Sequence, residues 1–243
     1  MKNDIKYSII IPYRNREEHL QILLPIIYDR FESKNYEIIV TEQDDNEKFN
    51  KAALYNIAFN LSEGDILVFH DVDHVPTENV DYFKIENENL DVWYPVKNVI
   101  YTDLNFVNLP DNEIPGGYVT HKNQVHDDHF GGVFICKKEV FKNVNGMCPL
   151  YVGWGKEDED IRDRFLYHNH KITRANIGTF LALKHTDNCP PINDLNFITN
   201  HHIKNNMAHY LNVGYKNVKA DVSIFETDFK KLKWIKSKKY EIS

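Results

Sequence analysis

The chain has 243 residues, 42% hydrophobic and 27% charged, enough for one large domain with a sizeable core. Its net charge of −7 argues against a general nucleic-acid binder, whose footprint is basic, and no apolar run approaches the roughly 18 residues that span a bilayer. Three cysteines without paired spacing (Cys136, Cys148, Cys189) make neither a disulfide framework nor a zinc knuckle, and the N-terminus, Met1-Lys2-Asn3-Asp4, lacks the apolar stretch of a signal peptide, so the expectation is a cytoplasmic protein.

Tyr7 to Ile11 is an apolar run ending at Pro12 and predicts a buried strand. Asn15, with Glu18 three residues on, predicts the N-cap of a helix whose apolar face is Leu20, Leu23, Leu24 and Ile27; Pro25 inside it predicts a kink or an interruption. Tyr36 to Val40 is a second strand. Asn50 caps a second helix with Ala53, Leu54, Ile57, Ala58 and Leu61 on one face, and Ile66 to Phe69 is a third strand. Strand–helix–strand–helix–strand implies right-handed crossovers and a mostly parallel sheet with helices on both faces. Ligands of such sheets sit beyond the carboxyl ends of the strands. Pro12-Tyr13-Arg14 and Asp71-Val72-Asp73 both lie at such ends and should meet at one crevice.

Downstream, Val92 to Val96, Asn98 to Tyr101 and Val133 to Cys136 read as strands, and Asp111 to Gly117 as a loop. Lys138 to Asn143 is a short helix stopped near Asn145-Gly146. Asp158 to His168 is a helix with Ile161 and Phe165 inward. Gly178 to Leu183 is a strand, Lys184 to Asn206 has loop composition, and Lys219 to Phe225 reads as a late strand. The tail from Lys230 to Lys239 carries six lysines around Leu232, Trp234 and Ile235, which fits either a solvated C-terminus or contact with an anionic membrane at its inner face. With no repeat or linker, residues 1–243 form one domain. Within it, 1–76, 77–190 and 191–243 are read as an N-terminal half, a second half, and a loop with C-terminal extension.

Two carboxylates at i and i+2 after a buried strand, Asp71 and Asp73, suit a hard divalent cation such as Mg²⁺ or Mn²⁺. Their bland reading is a solvated turn. Arg14 and Arg16 open a helix, where cations oppose the dipole, so a phosphate or uracil ligand explains them better than chance placement. Trp154 between Gly153 and Gly155 offers a platform for the apolar face of a sugar. Glu157, Asp158, Glu159 and Asp160 crowd one helix start. The dipole alone explains them, yet mutual repulsion can raise one pKa into the range of a general base. Periodicity marks the buried face without saying which acid faces the crevice. His185 at a strand end is a candidate metal ligand. His126-Asp127-Asp128-His129 and His201-His202 have no assigned role.

Together these stretches resemble the β-1,4-galactosyltransferase family of inverting glycosyltransferases, including its xylosylprotein galactosyltransferase branch and bacterial relatives. The matching pieces are Ile10 to Leu20 (IIPYRNREEHL), Phe49 to Phe59 (FNKAALYNIAF), Phe69 to Pro76 (FHDVDHVP), Phe130 to Met147 (FGGVFICKKEVFKNVNGM) and Gly153 to Phe165 (GWGKEDEDIRDRF), in family order. The resemblance implies a GT-A fold, a Rossmann-like nucleotide-diphospho-sugar transferase. It also implies a UDP-sugar donor, a glycan or lipid-linked glycan acceptor, a β-1,4 linkage and Mn²⁺, with Mg²⁺ as the substitute. Carried over by position, Pro12, Tyr13, Arg14, Arg16, Phe49, Lys51, Asp71 and Val72 bind the donor. Trp154 contacts donor and acceptor, Glu157 positions the acceptor, Asp158 is the general base, and Asp73 and His185 hold the metal. Three departures stand beside the match. Ala182 occupies the place of a further metal ligand, with Asp187 the candidate substitute. His129 stands where the family carries the aromatic residue that helps set galactose against N-acetylgalactosamine, which leaves the donor sugar open, and it is also counted among the acceptor-side residues. Tyr94 to Asp128 is longer than the family segment. A non-catalytic carbohydrate- or nucleotide-sugar-binding protein on the same fold is the alternative.

Overall fold

The computed structural model describes residues 5–102, 123–124, 129–184, 196, 199, 203, 205, 210–226 and 232–242. Its spine begins with three parallel strands, β1 (Lys6–Tyr13), β2 (Asn35–Gln43) and β3 (Ile66–His70), with β1 in the middle. They are the three apolar runs of the N-terminal half, and Ile9 to Ile11, Ile38 to Val40 and Leu67 to Phe69 are fully buried. Strands covered on both faces read as continuous apolar runs, which is why these three are legible without alternation. The crossovers are α1 (Glu17–Phe31) and α2 (Lys51–Leu61). Asn50 caps α2 as expected, its side chain accepting from Ala53 N at 2.8 Å.

Further elements among the described residues are β4 (His74–Pro76), α3 (Lys84–Asn87), β5 (Val92–Tyr94), β6 (Asn98–Thr102), β7 (Asn123–Gln124), β8 (Val133–Lys137), α4 (Lys138–Asn143), α5 (Glu157–Tyr167), β9 (Ile172–Arg174), β10 (Thr179–Leu183), β11 (Val218–Glu226) and β12 (Leu232–Ile242). Eight strands form one sheet in the order β11-β12-β2-β1-β3-β8-β5-β9, and β4-β10-β6-β7 form a second. Antiparallel β8 beside β3 returns the chain to the crevice and sets Val133 opposite His70. Cys136 and Cys148 are buried free thiols. Among the described residues no helix is long and apolar enough to cross a membrane.

Three expectations are corrected. Helix α1 runs through Pro25 without interruption. Leu20, Leu23 and Ile27 pack into the main core while Ile22 and Ile26 pack against Val75, Ile100, Leu181 and Leu183 of the second sheet. A helix gripped on two sides tolerates a proline that costs about 3 kcal/mol in a free helix, the more so because Pro25 is on the exposed face. Asn15 is not the N-cap. Its φ of 51° turns the chain out of β1, a left-handed conformation Asn tolerates, and Arg16 occupies the cap position without a side-chain capping bond. The Lys-rich tail is no loose extension: β12 pairs in parallel with β2, from Leu232 opposite Ile38 to Ser237 opposite Gln43, and antiparallel with β11. Lys233 pairs with Glu37 at 2.7 Å, Lys236 with Glu42 at 3.2 Å, and Trp234 Nε1 donates to Glu42 at 2.8 Å.

Candidate active site

Beyond the end of β3 the chain turns sharply, with His74 N donating to Asp71 O and Asp71 N donating to Gly132 O. Burial drives the His70 pKa down to about 3, so its imidazole is neutral. Its Nδ1 lies 2.9 Å from the Asp71 carbonyl and its Nε2 2.9 Å from the Tyr82 hydroxyl, so Nδ1–H donates to Asp71 and Nε2 accepts from Tyr82. This fixes the turn that presents Asp71, Asp73 and His74, whose ligand atoms all lie within 4.8 Å of one another. Two carboxylates and an imidazole suit Mn²⁺, a hard cation that takes carboxylate oxygens and also accepts an imidazole nitrogen. His74 Nδ1 sits 2.9 Å from Asp73 Oδ1. Burial opposes an imidazolium there, but Asp73 and Asp71 outweigh it and raise the His74 pKa.

Lys51, one residue past the α2 cap, brings the two halves of the site together. Its Nζ is 2.9 Å from Glu157 Oε1, 2.9 Å from Asp158 Oδ2 and 3.4 Å from Asp71 Oδ2. Burial disfavours this ammonium, yet the carboxylates hold its pKa well above the usual lysine range. Asp71 also accepts from the Tyr55 hydroxyl at 2.9 Å, one helical turn along α2. The acids of α5 are thereby sorted. Glu157 and Asp158 face Lys51, Glu159 pairs with Lys156, and Asp160 is buried against Arg164 at 2.8 Å. Burial raises the Asp158 pKa, Lys51 pulls it back, and Glu157 and Asp71 push it up again, to about 7. Glu157 is 7% exposed and its Oε2 has no hydrogen-bond partner among the described residues, an acceptor held ready for a donor.

The loop before α5 turns through positive φ at Gly153 (76°), Gly155 (108°) and Lys156 (76°), leaving Trp154 46% exposed. Gly153 N donates to Phe49 O at 2.7 Å, tying this loop to the segment that carries Lys51. The Phe49 ring in turn lies under the Arg14 guanidinium, 5.3 Å from its centroid, and Arg14 Nη1 donates to Glu47 O. Pro12 and Tyr13 end β1 opposite Thr41 and Glu42, and Tyr13 packs edge-on against Trp234. Arg16 is half-buried at the start of α1. On the far side, the Tyr94 hydroxyl meets His129 Nδ1 at 2.6 Å and Gly131 O at 3.0 Å. A side chain at Gly131 would lie 3.1 Å from Asp158 Oδ2 and 3.4 Å from His129 Cε1, so His129, Gly131 and Asp158 border one space.

The fold therefore gathers Arg14, Phe49, Lys51, Asp71, Val72, Asp73, Trp154, Glu157, Asp158 and His129 at the carboxyl ends of β1 and β3, beside Pro12 and Tyr13. His185 and Asp187 lie outside the described residues, as do Asp111 to Gly117, His126 to Asp128 and His201-His202. Sequence reasoning singled out neither His74 as a ligand nor Tyr55, His70 or Asn196 as supports. His74 directly follows the Asp71-Val72-Asp73 stretch, a usable signal. Asn196 lies 44 residues from Val152, whose amide it caps, and carries no local signal at all.

An α/β sheet with a carboxylate turn after its third parallel strand has the architecture of the GT-A fold. Two family profiles match: the N-terminal region of glycosyl transferase group 7 over residues 2–86, and the N-terminal domain of galactosyltransferase over 119–186. Human beta-1,4-galactosyltransferase 4 is 31% identical over 189 residues, 74% of this chain and 49% of that protein. Zebrafish (Danio rerio) beta-1,4-galactosyltransferase 5 is 28% identical over 193 residues, 74% and 44% respectively. The chain belongs to the β-1,4-galactosyltransferase family, and it spans about half the length (44% to 49%) of the curated relatives it matches. The catalytic domain of Drosophila beta1,4galactosyltransferase 7, in complex with xylobiose, superposes with a TM-score of 0.71 at 22% identity, covering 98% of this chain and 94% of that one. A mutant of the same Drosophila protein, in complex with manganese, UDP-Gal and xylobiose, gives a TM-score of 0.69 at 21% identity over the same shares.

Proposed function

We propose that this chain is a metal-dependent inverting glycosyltransferase. It moves galactose, with N-acetylgalactosamine as the other candidate, from a UDP-sugar to a sugar hydroxyl of a glycan acceptor and forms a β-1,4 linkage. The observation that carries the reading is the convergence of Asp71, Glu157 and Asp158 on the Lys51 ammonium within 3.4 Å, which joins the donor-side turn to the acidic helix. The Drosophila complex with manganese, UDP-Gal and xylobiose supports the substrate classes. Residues 1–76 carry the donor side and 77–190 the acceptor side, with 191–243 contributing β11, β12 and Asn196.

In this reading Arg14, held flat on Phe49, forms the wall of the nucleotide pocket, and Arg14 and Arg16 set positive charge beside the diphosphate. Asp73, Asp71 and His74, joined by His185, would hold Mn²⁺ or Mg²⁺, which when bound neutralises charge on the leaving diphosphate. Glu157 accepts from an acceptor hydroxyl. Asp158, with a pKa of about 7, takes the proton of the attacking hydroxyl. The acceptor oxygen bonds to the anomeric carbon as its bond to the diphosphate oxygen breaks, and the electron pair leaves with UDP. The configuration inverts. Trp154 stacks against the sugar faces, and His129, steered by Tyr94, borders the place of the transferred sugar.

A lipid-linked glycan is the narrower form of the acceptor. Membrane contact through β12 draws little support, since Lys233 and Lys236 are engaged by Glu37 and Glu42. The test is a screen of UDP-sugars against simple acceptors with Mn²⁺ and Mg²⁺, run for the unmodified protein and for Asp158→Asn. Expected are transfer from UDP-galactose or UDP-N-acetylgalactosamine, its loss in the variant, and UDP binding retained within about threefold. Parallel loss of transfer and UDP binding would remove Asp158 as the base.

A further inference from the structure

Asn196 is 1% exposed, and three hydrogen bonds of its side chain go to one strip of backbone. Oδ1 accepts from Val152 N at 3.2 Å, while Nδ2 donates to Gly155 O at 2.9 Å and to Trp154 O at 3.3 Å. From the opposite side Gly153 N donates to Phe49 O at 2.7 Å. Residues 152–156 belong to no helix or strand, and both glycines turn through positive φ. Such a strip has no ladder to define it, so contacts from distant residues must. A primary amide is suited to this task. It presents an acceptor and two donors at one end and carries no charge into a buried place.

We propose that Asn196 is the positioning residue that fixes the Trp154 ring over the reaction space. The inference rests on the reading of Trp154 as a contact for donor and acceptor. Asn196 touches no reacting atom. It acts by holding the Trp154 and Gly155 carbonyls, one on each side of the Gly155 Cα, so that the indole is ordered although half of it is exposed.

The test compares Asn196→Asp, Trp154→Phe and the double variant. In Asn196→Asp one carboxylate oxygen still accepts from Val152, while the other faces the Trp154 and Gly155 carbonyl oxygens and repels them. Asn196→Asp and Trp154→Phe are each expected to raise the acceptor KM about tenfold with a smaller change in kcat. The double variant should be no worse than Trp154→Phe alone, because Asn196 works through Trp154. Iodide quenching of the Trp154 emission, taken as the difference from Trp154→Phe, should rise in Asn196→Asp while the Trp93 and Trp234 signals hold. Unchanged quenching and KM in Asn196→Asp, or effects that add in full, would overturn the proposal. If Trp154→Phe leaves KM untouched, the reading of Trp154 fails, and quenching still decides whether Asn196 orders its ring. Should Asn196→Asp not fold, amide exchange in the unmodified protein decides: Val152 N–H is expected to exchange at least about tenfold slower than an unstructured amide, and exchange at the unstructured rate rejects the clamp.

Discussion

Lys51 Nζ lies 2.9 Å from Asp158 Oδ2, although 107 residues separate them in the chain. A buried ammonium is held there by three carboxylates, and one of those carboxylates is the candidate base. Lys51 thus does two things at once. It tethers the start of α5 to the donor-side turn, and it keeps the Asp158 pKa from rising above about 7.

The first prediction follows from that second role. A base must be deprotonated to act, so transfer should rise as pH passes through about 7. Lys51→Met removes the cation that lowers the Asp158 pKa, so the rising limb of kcat/KM should move to higher pH. Lys51→Arg should keep the limb within about half a unit, since the charge remains. A pH–rate profile of both variants checks this, and a Lys51→Met limb at or below the wild-type position would remove Lys51 from the control of Asp158.

Stability should follow the same titration. The folded-state pKa of Asp158 is raised above the ordinary carboxylate value, so the protonated form favours the fold. Its favourable contribution is complete below the unfolded-state pKa of about 4 and is lost as pH rises through about 7. Asp158→Asn should therefore leave the thermal midpoint little changed at pH 4 and raise it above pH 7.5, by about 2–4 °C for each kcal/mol of relieved repulsion. Calorimetry at the two pH values reads the difference. An equal shift at both would place the strain elsewhere.

The N-terminal half was legible because its strands are buried on both faces and its second helix has a capping Asn at the predicted place. Ile9 to Ile11 and Asn50 needed only local chemistry to be read. The acids of α5 were legible as a cluster and not as roles, because Lys51, which selects Glu157 and Asp158, enters from another helix. β12 was hidden for the opposite reason. Lysines at 233 and 236 read as solvent-facing until Glu37 and Glu42 meet them across the sheet. Pro25 misled because the helix rule holds for a free helix, and α1 is packed against two sheets.

Gly132 carries the third prediction. Its φ is 88°, and a Cβ there would stand 2.6 Å from both Cδ2 and Nε2 of His74. Gly132→Ala must strain the backbone and push the His74 ring from Asp73 and Asp71. Displaced ligands and their supports cost about 10- to 100-fold in metal affinity. Calorimetric titration with Mn²⁺ should show that loss in Gly132→Ala, and Asp73→Asn should show at least as much. Unchanged Mn²⁺ affinity in both would move the metal away from this turn.

The buried pair of Asp160 and Arg164 carries the last. Both side chains are fully buried, with Arg164 Nε 2.8 Å from Asp160 Oδ2. Arg164 also donates to the carbonyls of Val144, Gly146, Tyr210 and Val213, so it joins α5 to the turn after α4 and to the segment that leads into β11. Arg164→Met removes the counter-ion of a buried carboxylate and one donor from each of four carbonyls, a loss of about 3–5 kcal/mol. Burial already raises the Asp160 pKa against the pull of Arg164, so part of that loss is relieved by protonation below neutral pH. Urea unfolding should therefore find Arg164→Met less damaging at pH 5 than at pH 8. The double variant Asp160→Leu, Arg164→Met should recover part of the loss at pH 8, because no charge is then left unpaired. Equal destabilisation of the single and double variants at pH 8 would mean that the carbonyls, and not the ion pair, are what Arg164 is there to satisfy.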